Sequence, residues 1–333
     1  MIHPIPPGTR DVLPDEMREL RKLEESLLGV FESFGYGEVR TPTIEYADVV
    51  GRGDEASVGD AYRFFDDRGE LLALRTDMTI PIARLVATRF GEVPPPWRLS
   101  YVANAYRAVT PQRARLREFG QAGIELIGVD GADCIAEVVE ILAGSLDAAG
   151  LGDAVIGLGD AGLWAALVRD LGGSDGIVES SSRRLAEHDM VGLGVELRQC
   201  GEFDVGQVET LLEIIQMRGG PDLISSARGR GGALFDEVLD RMESTCAAIS
   251  AGSVGGRIQI DLGMLRELGY YTGSILEVYD PSVGEAIGGG GRYDGLMKRF
   301  GVEQPAAGFS LYLEPIHKAQ LEQDRTRGGG NNA

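Results

Sequence analysis

The chain has 333 residues, 43% hydrophobic and 25% charged, enough to bury a sizeable core in one large domain or two. Its formal net charge is −20, a field that repels a polyphosphate backbone and disfavours a large nucleic-acid partner except where basic residues cluster. Cys134, Cys200 and Cys246 are widely spaced, and so are His3, His188 and His317, which excludes a disulfide framework and any recognisable metal-ligand spacing and fits a reducing cytoplasm.

The opening MIHPIPPGTR is Pro-rich rather than an apolar signal core, and no stretch approaches the roughly 18 apolar residues of a membrane span. Residues 14–34 follow as an amphipathic helix, with Leu20, Leu23, Leu27, Phe31 and Phe34 at three- and four-residue steps, Pro14 in the first turn and Gly35 as the stop. GEVRTPTIEY reads as extended, with Pro42 marking an edge or an end. YRFFDDRGELLALR (62–75) is a hairpin turning at Asp67-Arg68-Gly69, and TDMTIPIARLVATRF is a helix with Pro81 near its start. Residues 97–107 and 117–127 alternate around a polar loop at Pro111, a long antiparallel hairpin.

A helix is expected at about 133–147, a short strand at 154–158 and a helix near Trp164. Strand signals then vanish from about 172 to 253, where helical patterns are broken only by MRGGPD and RGRGG. They resume at 257–263 and 270–280, and glycines 288–291 read as a tight loop before RYDGL. The expected division is therefore a core domain over 1–171 and 254–322, a helical insertion subdomain over 172–253 and a disordered tail over 323–333. Hairpins outnumber regular strand–helix–strand alternation, which makes the fold class α+β around an antiparallel sheet.

Chemistry concentrates after residue 106. Arg107, Arg113, Arg115 and Arg117 crowd one loop of an acidic chain, and Phe119, Gln121, Gly123, Glu125 and Ile127 then share one strand face. A carboxylate, an amide and the gap left by Gly123 describe a slot for a small ligand rich in hydrogen-bonding groups; the bland reading is a solvated sheet face. Asp77-Met78-Thr79 and the cluster Arg266, Tyr270, Tyr271 have similar character, though each alone suits a cap or a strand aromatic. GGGGRYDGL lacks the context of a nucleotide-binding glycine loop.

PPGTRDVLP, LRTDMT, YRAVTPQRARLREFGQAGIELIG, LRELGYYTG, GGGGRYDGL and AAGFSLYLEP occur in the order found in histidyl-tRNA synthetase catalytic domains, which the chain resembles from residue 3 to about 320. The resemblance implies a class II aminoacyl-tRNA synthetase-like antiparallel sheet flanked by helices, with a helical insertion and a self-dimer through the region around Pro42. It implies that Asp77, Thr79 and Gln121 receive the α-amino end of histidine, with Asp77 standing where many synthetases have glutamate. Glu125 and Tyr271 correspond to the readers of the imidazole, and Tyr293 to a further wall beside Tyr270. Arg107 corresponds to the arginine on the ATP α-phosphate, Arg266 to the one on the histidine carboxylate and α-phosphate, and Arg115 to a further phosphate-side residue.

The nucleotide side departs from the pattern. Where the synthetases end motif 3 in Gly-Leu-Glu-Arg, this chain has Tyr312-Leu313-Glu314-Pro315, and Val109 and Thr110 replace the expected glutamate and arginine of motif 2. Losing one preorganised group commonly costs about 2.7–4 kcal/mol of barrier, so losing several should abolish adenylation. A histidine pocket without those groups resembles the regulatory subunits of ATP phosphoribosyltransferase, synthetase paralogues that act with a short catalytic subunit in the first step of histidine biosynthesis. The implied role is cytoplasmic and without catalytic residues, metal or cofactor: activation of the short-form catalytic subunit, with L-histidine as ligand and feedback signal. No tRNA partner is implied, since little sequence follows the closing helix. Two other readings stay open, a stand-alone histidine-activating enzyme relying on Arg107, Arg115 and Arg266, and a histidine-sensing module for another partner.

Overall fold

The computed structural model describes residues 5–54, 59–108, 116–252, 254–265 and 269–329. Helix α1 (Pro14–Ser33) forms where the apolar spacing predicts it, with Pro14 in the first turn. Gly35 at φ +81° lets the chain reverse out of it, a conformation with no Cβ penalty for glycine. Leu27 and Phe31 are fully buried on its inner face, each contributing about 1.5–3 kcal/mol of burial.

After β1 (Gly37–Glu38), strands β2 (Ile44–Tyr46), β3 (Arg63–Phe65) and β4 (Leu71–Leu74) form a small sheet in the order β2-β4-β3. The reversal between β3 and β4 falls where Asp66 accepts the amides of Arg68 and Glu70 and Gly69 takes φ +84°. Helices α2 (Ala47–Gly53) and α3 (Thr79–Arg89) flank this region. One face of the small sheet exposes Ile44, Tyr46 and Phe64, while Phe65 and Leu71 are exposed on the opposite face.

The hairpin β5 (Trp97–Tyr106) and β6 (Glu118–Ile127) starts the main sheet. Among the described residues that sheet has the order β1-β5-β6-β12-β11-β10-β7-β9-β8. It is antiparallel except at β1–β5 and β7–β9. The remaining strands are β7 (Val155–Asp160), β8 (Arg218–Gly219), β9 (Ile258–Asp261), β10 (Ser274–Tyr279), β11 (Ala286–Arg292) and β12 (Ala306–Tyr312).

Two of these differ from expectation. The glycines at 288–291 are not a loop; they lie in β11, paired on one side with β10 and on the other with β12. A Cβ at Gly290 would fall 2.1 Å from the carbonyl oxygen of Gly308, so glycine is required by close strand packing rather than by a turn. The helical stretch also contains β8, anchored to β9 by an Arg218–Asp261 ion pair at 2.7 Å.

Alternation along β6 and β12 sends side chains to two different cores. Ala122, Ile124, Leu126, Ala307, Phe309 and Leu311 pack under α1 and α4 (Ala132–Ala148), with the Phe31 and Phe309 rings edge to face at 5.9 Å. The opposite face is covered by α3 and by α11 (Asp294–Arg299), through Met78, Ile82, Val86, Leu296 and Met297. The residues of interest lie on that second face.

Helices α5 (Leu163–Asp170), α6 (Asp175–Ala186), α7 (Met190–Gln199), α8 (Val205–Ile214), α9 (Leu223–Ala227) and α10 (Ala233–Ser250) share one hydrophobic cluster with α4 and the sheet. The divisions between them follow caps: Ser174, Asp189 and Asp204 each accept an amide of the next helix, and Gln207 returns the bond to Asp204 in a capping box. The closing helix α12 (Leu313–Gly329) continues helical through residues expected to be tail from 323, and 330–333 lie outside the described residues.

Candidate functional site

Three structural segments meet over β6: the turn into α3, the ends of β11 and β12, and the stretch before β10. They enclose a cavity of about 20 Å³. Asp77, Thr79, Arg107, Gln121, Glu125, Tyr270, Tyr271, Tyr293 and Tyr312 all line it, so these sequence candidates converge. Arg266, Arg115, Val109 and Thr110 lie outside the described residues.

Glu125 is the centre of the pocket and only 1% exposed. One carboxylate oxygen accepts from the Thr79 hydroxyl at 2.8 Å, and the other accepts from the Tyr293 hydroxyl. Burial drives its pKa from 4.5 to about 8; the two hydroxyls oppose that rise, and nearby Asp77 adds to it. Asp77 has a divided role. Its Oδ1 accepts the Ile80 amide at 3.0 Å, fixing the first turn of α3, while Oδ2 is buried without a hydrogen-bond partner among the described residues. Burial pushes this carboxyl up as well, against the pull of the Ile80 amide and of Arg107. The Oε1 of Gln121 is likewise buried and, among the described residues, unpartnered. Such atoms carry the full cost of desolvation unless a ligand supplies the bond.

Aromatic rings close the sides. Tyr270 lies 4.9 Å from Tyr271 and 6.1 Å, edge to face, from Tyr293. The acceptors of Asp77 and Gln121, the Glu125 carboxyl and the surrounding rings suit a small ligand that carries an ammonium and a ring N–H.

Sequence reasoning missed the floor. Gly123 does not leave an open gap, because the Tyr101 hydroxyl from the neighbouring strand occupies it: a Cβ at 123 would sit 2.5 Å from that oxygen. The signal was present in the register, since Tyr101 faces Gly123 directly across β5 and β6. Gly308 was missed too; its Cβ would fall 2.1 Å from Oε2 of Glu125.

The outer end of the site is of another kind. The Arg107 guanidinium lies 5.2 Å over the Phe119 ring, and Phe119 meets Tyr312 edge to face at 6.1 Å. Beyond Tyr312, the chain turns directly into α12, with Pro315 in its first turn, where a missing N–H costs nothing. Glu314 accepts the Gly120 amide with both oxygens, at 3.1 and 3.0 Å.

A largely antiparallel sheet carrying its pocket on β6, β11 and β12, with helices packed behind, defines a class II aminoacyl-tRNA synthetase-like domain. The histidyl-tRNA synthetase family model matches residues 8–316. Among curated relatives, the ATP phosphoribosyltransferase regulatory subunit of Moorella thermoacetica is 40% identical over 324 residues, 96% of this chain and 82% of that protein. The histidine–tRNA ligase of Pyrococcus abyssi is 37% identical over 324 residues, 93% of this chain and 73% of that protein. Among solved structures, an ATP phosphoribosyltransferase regulatory subunit/histidyl-tRNA synthetase from Bacillus halodurans C superposes with a TM-score of 0.88 at 30% identity, covering 96% of this chain and 83% of that one. The chain belongs to the histidyl-tRNA synthetase family and, within it, to the ATP phosphoribosyltransferase regulatory subunits. Among the described residues, no helix is long and apolar enough to cross a membrane, and no group of three or more His, Cys, Asp or Glu is placed to hold a metal ion.

Proposed function

We propose that the chain is a non-catalytic subunit that activates the short-form ATP phosphoribosyltransferase in the first step of histidine biosynthesis, and that its buried pocket takes L-histidine as the feedback signal. The observation that carries the ligand reading is the pair of buried, unpartnered acceptors on Asp77 and Gln121 set opposite Glu125. An α-ammonium supplies donors to the first two, each charge-assisted bond being worth about 1.5–3 kcal/mol, and an imidazole N–H supplies one to Glu125.

The same reading includes loss of adenylation. What supports it is the outer end of the site: Arg107 packs on Phe119, Tyr312 packs on the same ring, and Pro315 stands where the motif carries arginine. Regulation then follows from linkage. Histidine shifts the quaternary equilibrium by its differential affinity for the two arrangements, typically about 1–3 kcal/mol. A second copy of this chain is the occupant that suits the exposed apolar face of the small sheet beside Pro42, where Ile44, Tyr46 and Phe64 are open. Sedimentation as a monomer at micromolar concentration would remove that part of the proposal. No tRNA partner belongs to it.

The test is reconstitution. Adding the chain to a purified short-form catalytic subunit should raise its ATP phosphoribosyltransferase rate at least tenfold, and histidine should reverse the gain. Failure to bind or stimulate that subunit, together with histidine-dependent ATP–pyrophosphate exchange by this chain alone, would favour the ligase reading instead.

A further inference from the structure

We propose that Tyr101 is a specificity-determining residue: its hydroxyl is the floor of the pocket between Gln121 and Glu125 and sets the largest ring that the pocket accepts. The proposal rests on the histidine reading above and adds what limits the ligand's size.

Two missing Cβ atoms shape this part of the site. Glu125 pairs with Gly308 across β6 and β12, and Tyr101 pairs with Gly123 across β5 and β6. At Gly308 the space is taken by the Glu125 carboxylate, and at Gly123 it is taken by the Tyr101 hydroxyl. Both glycines are therefore fixed by function-bearing atoms as well as by backbone: a Cβ at 123 would also meet the Phe309 carbonyl at 2.1 Å. Tyr101 is 1% exposed and lines the cavity, its hydroxyl reaching across Gly123 toward the Phe309 carbonyl. Tyr270, Tyr271 and Tyr293 come from later segments, and the Tyr293 hydroxyl is bonded to Glu125.

The hydroxyl of Tyr101 lies beside the Ser310 hydroxyl and the Phe309 carbonyl. Its bond to the Phe309 carbonyl is 3.5 Å long, at the limit for a hydrogen bond. Burial first, then the Glu125 carboxylate, pushes its pKa well above the ordinary phenol value, so it remains a neutral O–H across the working pH range. A neutral hydroxyl at the floor excludes bulk without attracting a charge. Removing it leaves space close to that of one methyl group while keeping the ring.

Tyr101→Phe should therefore relax discrimination against ring-methylated ligands. Calorimetric titration of the full chain with L-histidine and with N1-, N3- and C2-methyl-L-histidine reads this as ratios of Kd. One methyl group in a closed pocket is worth about 10–200-fold. The expected result is a shift of at least tenfold toward one or more methylated ligands in Tyr101→Phe relative to the unchanged chain. A shift of less than tenfold for all three ligands, with histidine still bound, would overturn the assignment to Tyr101 and leave the histidine reading intact. Absence of histidine binding by the unchanged chain would overturn both. Tyr101→Leu, which opens the floor further, repeats the comparison if the phenylalanine variant melts early.

Discussion

Along β6 the pocket side chains Glu125, opposite Gly308, and Gln121, opposite Tyr312, make the inner end, and Phe119, two residues before Gln121, begins the outer end. The inner end holds two buried carboxylates with raised pKa values and two buried acceptor atoms without a hydrogen-bond partner among the described residues. The outer end satisfies itself: guanidinium on ring, ring on ring, and a helix-start carboxylate on a strand amide. One strand pair thus carries a ligand-shaped deficit beside a closed, self-sufficient stack. Unpartnered buried acceptors weaken the fold, so their presence indicates a role in binding, whereas the stack stabilises the fold with no ligand at all.

Paired substitutions separate the two ends. Glu125→Ala should weaken histidine binding about 100-fold or more in calorimetry, because the imidazole N–H is left without its acceptor in a buried site. Phe119→Ala, in the outer stack, should change it by less than about threefold. Comparable losses in both variants would erase the distinction between the ends.

A smaller effect sharpens the inner end. Glu125 has a value of about 8 in the folded chain against 4.5 for an unperturbed glutamate, so the folded state keeps a proton that the unfolded state releases. Its contribution to stability is fully present below pH 4.5 and is lost as the pH rises to about 8. Glu125→Gln cannot titrate. It should raise the melting temperature at pH 8 by several degrees, and the gain should vanish near pH 4.5. An increment constant with pH would mean that Glu125 is ionised in the fold.

Much of the inner end was legible in the sequence, because alternation alone puts Gln121 and Glu125 on one face, and the local motif places Asp77 and Thr79 at a helix entry. Tyr101 was not, since its part depends on the glycine opposite it on another strand, and register between strands is not written in either one. The glycines of β11 were misread for a related reason: a run of glycines ordinarily signals a turn, and only the approach of β12 to within a Cβ radius makes them strand residues. In the helical stretch, Asp189 and Asp204 were visible as residue types, but helical periodicity on both sides concealed the caps that split it. The tertiary partner carries the missing information in each case.

The central claim is that the amino-acid end was kept while the nucleotide end was closed, and one calorimetric series tests it most directly. The chain should bind L-histidine and then, saturated with it, show no heat of binding with millimolar ATP or a non-hydrolysable histidyl-adenylate analogue beyond that of histidine itself. Saturable ATP binding accompanied by histidine-dependent pyrophosphate exchange would contradict it.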